Sequence, residues 1–112
     1  MQPNYKFWQQ VQEKAAIKGR PVVVLAPMAD VTDVVFRTMI SKYSRTGQED
    51  GGPDVMWTEF VAADGLNSPG REVLKRDLEF GVSERPVVAQ LFTSNPENMR
   101  EAVKICKELG FD

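Results

Sequence analysis

The chain has 112 residues, a formal net charge of −2 at pH 7, one cysteine and no histidine. The length suffices for one small domain, and the charge gives no overall attraction to nucleic acids or membranes. The sequence contains no apolar run of about 18 residues and no secretory signal pattern, so we expect no membrane association. One cysteine excludes an internal disulfide and fits a reducing cytoplasm, and the lack of histidine excludes His-based metal sites; we expect no metal.

The predicted elements begin with a helix over residues 4–18, capped at Asn4 and ended by Gly19. Its apolar stripe consists of Phe7, Trp8, Val11, Ala15 and Ile17. An unbroken aliphatic run over residues 22–26 then predicts a strand that is buried on both faces, as in a parallel sheet.

A second helix is predicted over residues 33–43, with Thr32 and Asp33 placed to cap its first turn. The residues predicted to pack on the sheet are Phe36, Met39, Ile40 and Tyr43. Residues 44–54 are rich in glycine and polar side chains, which predicts a loop.

The second half of the chain repeats the strand–helix pattern. The predicted elements are a strand over 55–61, a loop over 62–69, a short helix over 71–78, a turn region over 81–86, a strand over 86–92 and a helix that ends at Gly110. A Ser-x-x-Glu capping box at Ser94 predicts the start of this last helix. Its predicted buried face consists of Met99, Ala102, Val103 and Cys106. Residues 111–112 point toward a further strand.

Strand centres recur at roughly 32-residue intervals, which is the βαβ rhythm of an α/β protein. Three βα units cannot close a barrel, since a barrel takes at least about 200 residues. We therefore expect the N-terminal part of a TIM (β/α)8 barrel, with a helix and lead-in over 1–20, three βα units over 21–112 and the remainder missing. The alternative is a complete small domain that hides its sheet edges by oligomerising.

The stretch Leu25-Ala-Pro-Met-Ala-Asp-Val-Thr-Asp33, followed by Phe36-Arg37, resembles the opening of the tRNA-dihydrouridine synthase family. Thr58-Glu59-Phe60-Val61 and Gln90-Leu-Phe92 are similar to that family's second and third strands, in the same order. Residues 110–112 are similar to its approach to the fourth strand.

Two positions depart from the family pattern, since Asp30 and Thr93 stand where the family often has glycine. Aspartate tolerates a turn conformation, whereas a β-branched Thr93 makes a positive φ unfavourable. These differences suggest a divergent branch with the same chemistry.

The resemblance implies a barrel that holds FMN at its carboxyl face. In that family NADPH reduces the flavin, which passes hydride to C6 of a uracil in tRNA while a cysteine acid protonates C5, so uridine becomes 5,6-dihydrouridine. The family's cysteine lies in a Gly-Cys-Pro motif, which we expect beyond Asp112. No catalytic residue is therefore predicted in this chain, and Cys106 is predicted to be a buried packing residue.

The resemblance further implies that the backbone of Ala26, Pro27 and Met28 lies along the flavin ring. Gln90 is predicted to bind the flavin's pyrimidine edge, because a carboxamide both donates and accepts hydrogen bonds. Glu59 has three possible roles: in the substrate pocket, in orienting neighbours at the flavin, or in an internal salt bridge.

The remaining polar residues of the motifs have structural interpretations. Arg37 is predicted to be an ion-pair partner rather than an RNA contact. Arg71, Lys75 and Arg76 could contact tRNA phosphates, but we interpret them as helix surface charge.

The predicted function is thus an FMN-dependent tRNA-dihydrouridine synthase that uses NAD(P)H in the cytoplasm, and the isolated chain is expected to bind FMN poorly and to lack activity. One alternative is another flavin-dependent TIM-barrel oxidoreductase, similar to dihydroorotate dehydrogenase. A second alternative is a catalytically inactive truncated module that binds a partner or RNA through its open sheet edge.

Overall fold

The computed structural model describes residues 5–112, in which each strand is followed by one or two helices. In order the elements are α1 (Tyr5–Ile17), β1 (Val24–Leu25), α2 (Val34–Tyr43), β2 (Val55–Ala62), α3 (Ala63–Leu66), α4 (Arg71–Leu74), β3 (Val87–Phe92) and α5 (Pro96–Leu109). Two 3₁₀ turns, Lys75–Leu78 and Val82–Glu84, lie between α4 and β3. The predicted cap at Asn4 lies outside the described residues.

The described strands form one parallel sheet in the order β1-β2-β3. Val24 lies opposite Val55, and Phe60 lies opposite Gln90 after a shift of register that follows Trp57. The backbone N–H of Asp112 donates to the carbonyl of Val87 (3.1 Å), so the chain runs beside the start of β3 after α5. The predicted parallel α/β architecture is confirmed.

The first strand is shorter and more exposed than predicted, so the expectation of burial on both faces is wrong. β1 has two residues, and the side chains of Val23 and Val24 are exposed. The cause is its position at the edge of the described sheet, where it pairs with β2 alone. The N–H of Val23 donates to the Asp54 carboxylate (2.8 Å) instead of extending the ladder.

The hydrophobic core lies between the sheet and helices α3 and α5. Its buried members are Val61, Ala63, Leu66, Leu78, Ala102, Ile105 and Cys106. The predicted loop over 62–69 is wrong, because α3 starts directly after β2 and buries Ala63 and Leu66. The predicted helix over 71–78 divides into α4 and a 3₁₀ turn.

Helix α5 begins at a different cap from the predicted one. The side chain of Asn95, not Ser94, accepts hydrogen bonds from the N–H groups of Glu97 (3.0 Å) and Asn98 (3.3 Å). Gly110 ends the helix with a φ of 86°, which a glycine adopts without steric cost. The buried face includes Ala102 and Cys106 as predicted, together with Ile105, whereas Met99 and Val103 are half-buried.

The predicted apolar face of α2 is correct only in part: Phe36 and Ile40 are half-buried, but the fully buried residues of this helix are polar. Met39 and Tyr43 are 54% and 74% exposed, whereas Arg37 and Ser41 are buried. The Arg37 guanidinium makes three hydrogen bonds of 2.6 Å, to the Glu84 carboxylate and to the carbonyls of Thr32 and Glu79. These polar groups can be buried because each has a partner. The prediction that Arg37 is an ion-pair partner is confirmed.

Helix α1 lies near the amino ends of the strands. Val11 and Ala15 are buried, and the Trp8 ring stacks on Trp57 of β2 with centroids 6.0 Å apart. Ile17 is 82% exposed, so its place in the predicted stripe is wrong. A cleft of about 420 Å³ separates α1 from the 46–54 loop. This cleft is at the end of the sheet opposite to the strand exits.

Asp54 precedes β2 and connects the start of this strand to the segment before β1. Its carboxylate, 5% exposed, accepts hydrogen bonds from Arg20 (2.7 and 3.1 Å) and pairs with Lys18 (3.5 Å). Burial raises the pKa of Asp54, but the hydrogen bonds from Arg20 and Val23 and the two positive charges outweigh burial. They hold this pKa below its ordinary value of 3.8.

We expect Asp54→Asn to lower the free energy of unfolding by about 1–2 kcal/mol at pH 7. Because the folded-state pKa is lowered, the carboxylate stabilises the fold above the unfolded-state pKa, and this stability is lost as the pH falls through the folded-state value. Urea unfolding between pH 7 and pH 3 should therefore show the two proteins converging on acidification. Asp50→Asn is the control, since its pair with Arg45 is exposed. A difference that stays constant down to pH 3 would contradict the prediction.

Candidate functional site

The carboxyl ends of the three parallel strands meet at one edge of the sheet, which we call the carboxyl edge. It comprises the segment 26–33 after β1, the end of β2 from Thr58 onward, and Gln90–Phe92 of β3. In parallel α/β folds this edge is where ligands bind. All five predicted site residues lie within these segments.

The segment after β1 is a closed turn held by Thr32, whose side chain is fully buried. The Thr32 hydroxyl accepts from the N–H of Met28 (2.9 Å) and donates to the carbonyl of the same residue (3.2 Å). Asp33 caps α2 by accepting from the N–H of Phe36 (2.8 Å), as predicted. Thr32, predicted to be a second cap, closes the turn instead, because its hydroxyl faces back toward Met28.

Asp30 lies at the tip of this turn with a φ of 61°, in the left-handed region. Aspartate occupies this region more readily than most residues, as expected for a position where glycine is common in the resembled pattern. Thr93 is not among the described residues with positive φ, which also agrees with the prediction. Of the two departures from the family pattern, Asp30 therefore adopts a positive φ and Thr93 does not.

Glu59 connects the end of β2 to the turn after β1. Its carboxylate accepts a short hydrogen bond from the backbone N–H of Asp30. No ion pair of Glu59 is found among residues 5–112, so the geometry is that of a side chain that holds a neighbouring loop. The contact fixes the left-handed backbone at Asp30.

Gln90 is fixed through its backbone, while its carboxamide is available. The N–H of Gln90 donates to the hydroxyl of Thr58 (3.1 Å), a fully buried residue whose hydroxyl donates to the carbonyl of Glu59 (3.0 Å). Within the described part of the chain, no hydrogen bond of the half-buried Gln90 carboxamide is found. This role of Thr58 was not predicted from the sequence; its signal is a hydroxyl in a strand whose other polar residue is the neighbouring Glu59.

Apolar side chains lie at the same edge of the sheet as this carboxamide. Phe60 lies opposite Gln90 in the sheet, and its ring meets that of Phe92 edge-to-face at 5.4 Å. Both rings are about half exposed, at 52% and 51%. Ala26 and Met28 are also exposed, and Pro27 is half-buried. The edge can therefore cover a flat apolar group and bind its polar rim.

Cys106 is remote from this edge, because it belongs to the core cluster beneath α5. Burial raises the pKa of its thiol to about 11, so it is neutral at physiological pH. The prediction of a packing residue is confirmed. In residues 5–112 no cluster of three or more acidic, cysteine or histidine side chains could hold a metal ion. No described helix has the length and apolarity needed to cross a bilayer.

The three basic residues after α3 differ in their contacts. The Arg71 guanidinium donates to the carbonyl of Leu66 (2.6 Å), and Lys75 pairs with Glu72 at 3.5 Å. Arg76 is exposed. This arrangement agrees with the interpretation of surface charge.

The parallel sheet and its carboxyl edge define the chain as a parallel α/β protein with a candidate ligand-binding edge. Comparison with known sequences identifies the family. Residues 24–112 match the sequence model of dihydrouridine synthase (Dus). The chain belongs to the dihydrouridine synthase family.

Several relatives are similar over most of the chain. It is 40% identical over 106 residues to a probable tRNA-dihydrouridine synthase 2 of Bacillus subtilis and 35% identical over 106 residues to a probable tRNA-dihydrouridine synthase of Staphylococcus aureus. These alignments cover 94% of this chain and 28% of each relative. A Staphylococcus epidermidis relative is 38% identical over 93 residues, which are 82% of this chain and 26% of the relative.

The chain thus spans about 28% of the length of these curated relatives. The similarities do not favour the alternatives of a dihydroorotate-dehydrogenase-like enzyme or an inactive binding module.

Proposed function

We propose that this chain supplies the N-terminal part of an FMN-binding (β/α)8 barrel, in an enzyme that reduces uridine in tRNA to 5,6-dihydrouridine with NAD(P)H. In this proposal residues 1–20 are the lead-in, and residues 21–112 are the first three βα units. The observation that carries the proposal is the carboxyl edge, where Glu59 holds the turn after β1 and Gln90 on β3 has an available carboxamide. Family membership and the similarity to a probable tRNA-dihydrouridine synthase support the substrate class.

The residues of the carboxyl edge fit FMN in their chemistry. The isoalloxazine ring is flat and largely apolar, and Ala26, Pro27 and Met28 offer apolar surface and backbone without bulky polar groups. Its pyrimidine rim carries both donors and acceptors, which a carboxamide such as that of Gln90 can satisfy together. When bound, FMN would carry reducing equivalents from NAD(P)H to the uracil ring.

The chain's own residues would bind and orient in this reaction rather than transfer protons. Glu59 holds the turn, Thr58 fixes the backbone of Gln90, and the rings of Phe60 and Phe92 exclude water from the edge. Cys106 is buried elsewhere, so the proton donor would come from the rest of a longer enzyme. In this proposal the rest of that enzyme also supplies the tRNA-binding surface. A tRNA substrate and a reduced cysteine support a cytoplasmic site of action.

The test is Gln90→Ala in the complete protein encoded by the gene. We expect the ratio of bound FMN to protein after gel filtration to fall about tenfold, because the rim of the flavin loses two hydrogen bonds. Gln12→Ala is the matched control, since Gln12 is exposed on α1. The isolated 112 residues should retain little FMN and form no dihydrouridine in tRNA. Unchanged FMN occupancy in Gln90→Ala would show that Gln90 does not bind the flavin.

A further inference from the structure

One aspartate just beyond the carboxyl edge links two connections that are distant in sequence. Asp64 lies in the first turn of α3, just after β2. Its Oδ1 accepts hydrogen bonds from the Thr93 hydroxyl (2.6 Å) and from the Asn98 side-chain amide (2.7 Å), which are 29 and 34 residues away in sequence. These two hydrogen bonds hold the pKa of Asp64 below its ordinary value, so it is ionised at neutral pH.

The contacts continue beyond Asp64 into the start of α5. The Thr93 hydroxyl also accepts from the N–H of Asn95 (2.9 Å), the residue that caps α5. The side-chain amide of Asn67 donates to the carbonyl of Asn98 (3.0 Å). The connection after β3 is therefore held against the connection after β2 through side chains from both.

This network acts directly on the end of β3. Thr93 follows Phe92, the last residue of the strand, and Gln90 is two residues earlier. Upstream, Gln90 is anchored by Thr58. Downstream, Leu91 and Phe92 pair with Val61 and Ala62 of β2, and the first side-chain anchor after the strand is the bond between Thr93 and Asp64. The strand segment that carries the available carboxamide and the exposed Phe92 ring is thus fixed at both ends.

We propose that Asp64 is a positioning residue for the carboxyl edge: by binding Thr93 and Asn98, it fixes the end of β3 and thereby the Gln90 carboxamide and the Phe92 ring. This inference rests on the proposed function, because the group that Gln90 meets is the flavin. It also explains how a threonine is accommodated where a glycine is common in the resembled pattern, since the hydroxyl takes part in the network.

The chemistry of the aspartate makes a graded test possible. A carboxylate oxygen accepts two charge-assisted hydrogen bonds at once. Asparagine at position 64 keeps an oxygen acceptor but loses the charge, and alanine loses both. We therefore expect Asp64→Asn to be intermediate between the original protein and Asp64→Ala. Asp77→Ala is the matched control, because Asp77 is an exposed aspartate with no hydrogen bond found among the described residues.

The experiment uses the complete protein and two readouts. In the flavin-free protein, hydrogen exchange of the Asn95 amide should be about fivefold faster in Asp64→Ala. The reason is that the Thr93 hydroxyl, which accepts the hydrogen bond of this amide, is no longer held by Asp64. In an FMN titration, the dissociation constant should rise about three- to tenfold in Asp64→Ala and less in Asp64→Asn. The melting temperature of the flavin-free protein should stay within about 2 °C of the original, since Asp64 is exposed.

The possible failures are distinguishable. If the original protein binds no FMN, the proposed function is overturned and the positioning role with it, whatever the exchange result. If the original protein binds FMN and Asp64→Ala binds it equally well, only the positioning role is overturned. If exchange at Asn95 is unchanged in Asp64→Ala, the network does not hold the end of β3, and the inference also fails.

Discussion

Replacing Glu84 by alanine is expected to lower the free energy of unfolding by about 3–5 kcal/mol, because it leaves the buried Arg37 guanidinium without its counter-charge. Both side chains are almost completely inaccessible, at 1% and 0% exposed, and Arg37 Nε lies 2.6 Å from Glu84 Oε1. The other Glu84 oxygen accepts from the N–H of Gly81. The loss is a large part of the roughly 5–15 kcal/mol that typical proteins possess. Urea unfolding measures it.

The control is the double variant Arg37→Met/Glu84→Leu, which removes both charges together. We expect it to be much more stable than Glu84→Ala, since replacing a whole buried pair by apolar residues is often neutral. The carbonyls of Thr32 and Glu79 lose a donor in this variant, which limits the recovery. A Glu84→Ala protein within about 1 kcal/mol of the original would show that water reaches Arg37 and that the pair is not essential.

Replacing Glu59 by alanine is expected to weaken FMN binding by the complete protein about 10- to 100-fold, which rests on the proposed function. The carboxylate is the acceptor for the N–H of Asp30, and Asp30 has the left-handed φ of 61°. Without it, the turn after β1 keeps the hydrogen bonds around Thr32 and the one from the Val31 N–H to the Met28 carbonyl, but the backbone at Asp30 is free to relax. A fluorescence titration with FMN measures the change.

Glu59→Gln separates the contact from the charge, because a glutamine oxygen still accepts the Asp30 N–H. We expect its FMN affinity to fall less than that of the alanine variant. Glu108→Ala, an exposed position on the far end of α5, should bind like the original. Equal affinities for Glu59→Ala and Glu108→Ala would show that Glu59 has no part in binding.

The sequence predicted the elements whose signals are local. The bounds of β2 and β3 agree with prediction within one residue, because apolar runs bounded by turn residues define them. Helix α5 ends where Gly110 predicts. The local pattern did not predict α3, because a four-residue helix is too short to show a helical periodicity. This helix is stabilised by the burial of Ala63 and Leu66.

The largest error, on the inward face of α2, has a tertiary cause. Nothing near Arg37 in sequence shows that a glutamate 47 residues later will meet it. The features of the candidate site likewise divide into positions that the sequence predicts and contacts that depend on the tertiary structure. The strand-exit positions of Gln90 and Glu59 follow from the pattern and the resemblance, but the contacts of Glu59 with Asp30 and of Gln90 with Thr58 depend on how neighbouring strands are placed.

The separation of 47 residues between Arg37 and Glu84 also has a consequence during synthesis of the chain. A ribosome that adds about 5–20 residues per second makes Glu84 roughly 2–9 s after Arg37. Over that interval a docked α2 would bury an unpaired cation, which is strongly unfavourable. Helix α2 therefore docks only after the turn before β3 has emerged. The first βα unit of the nascent chain thus waits for the second, and the two fold together rather than in sequence.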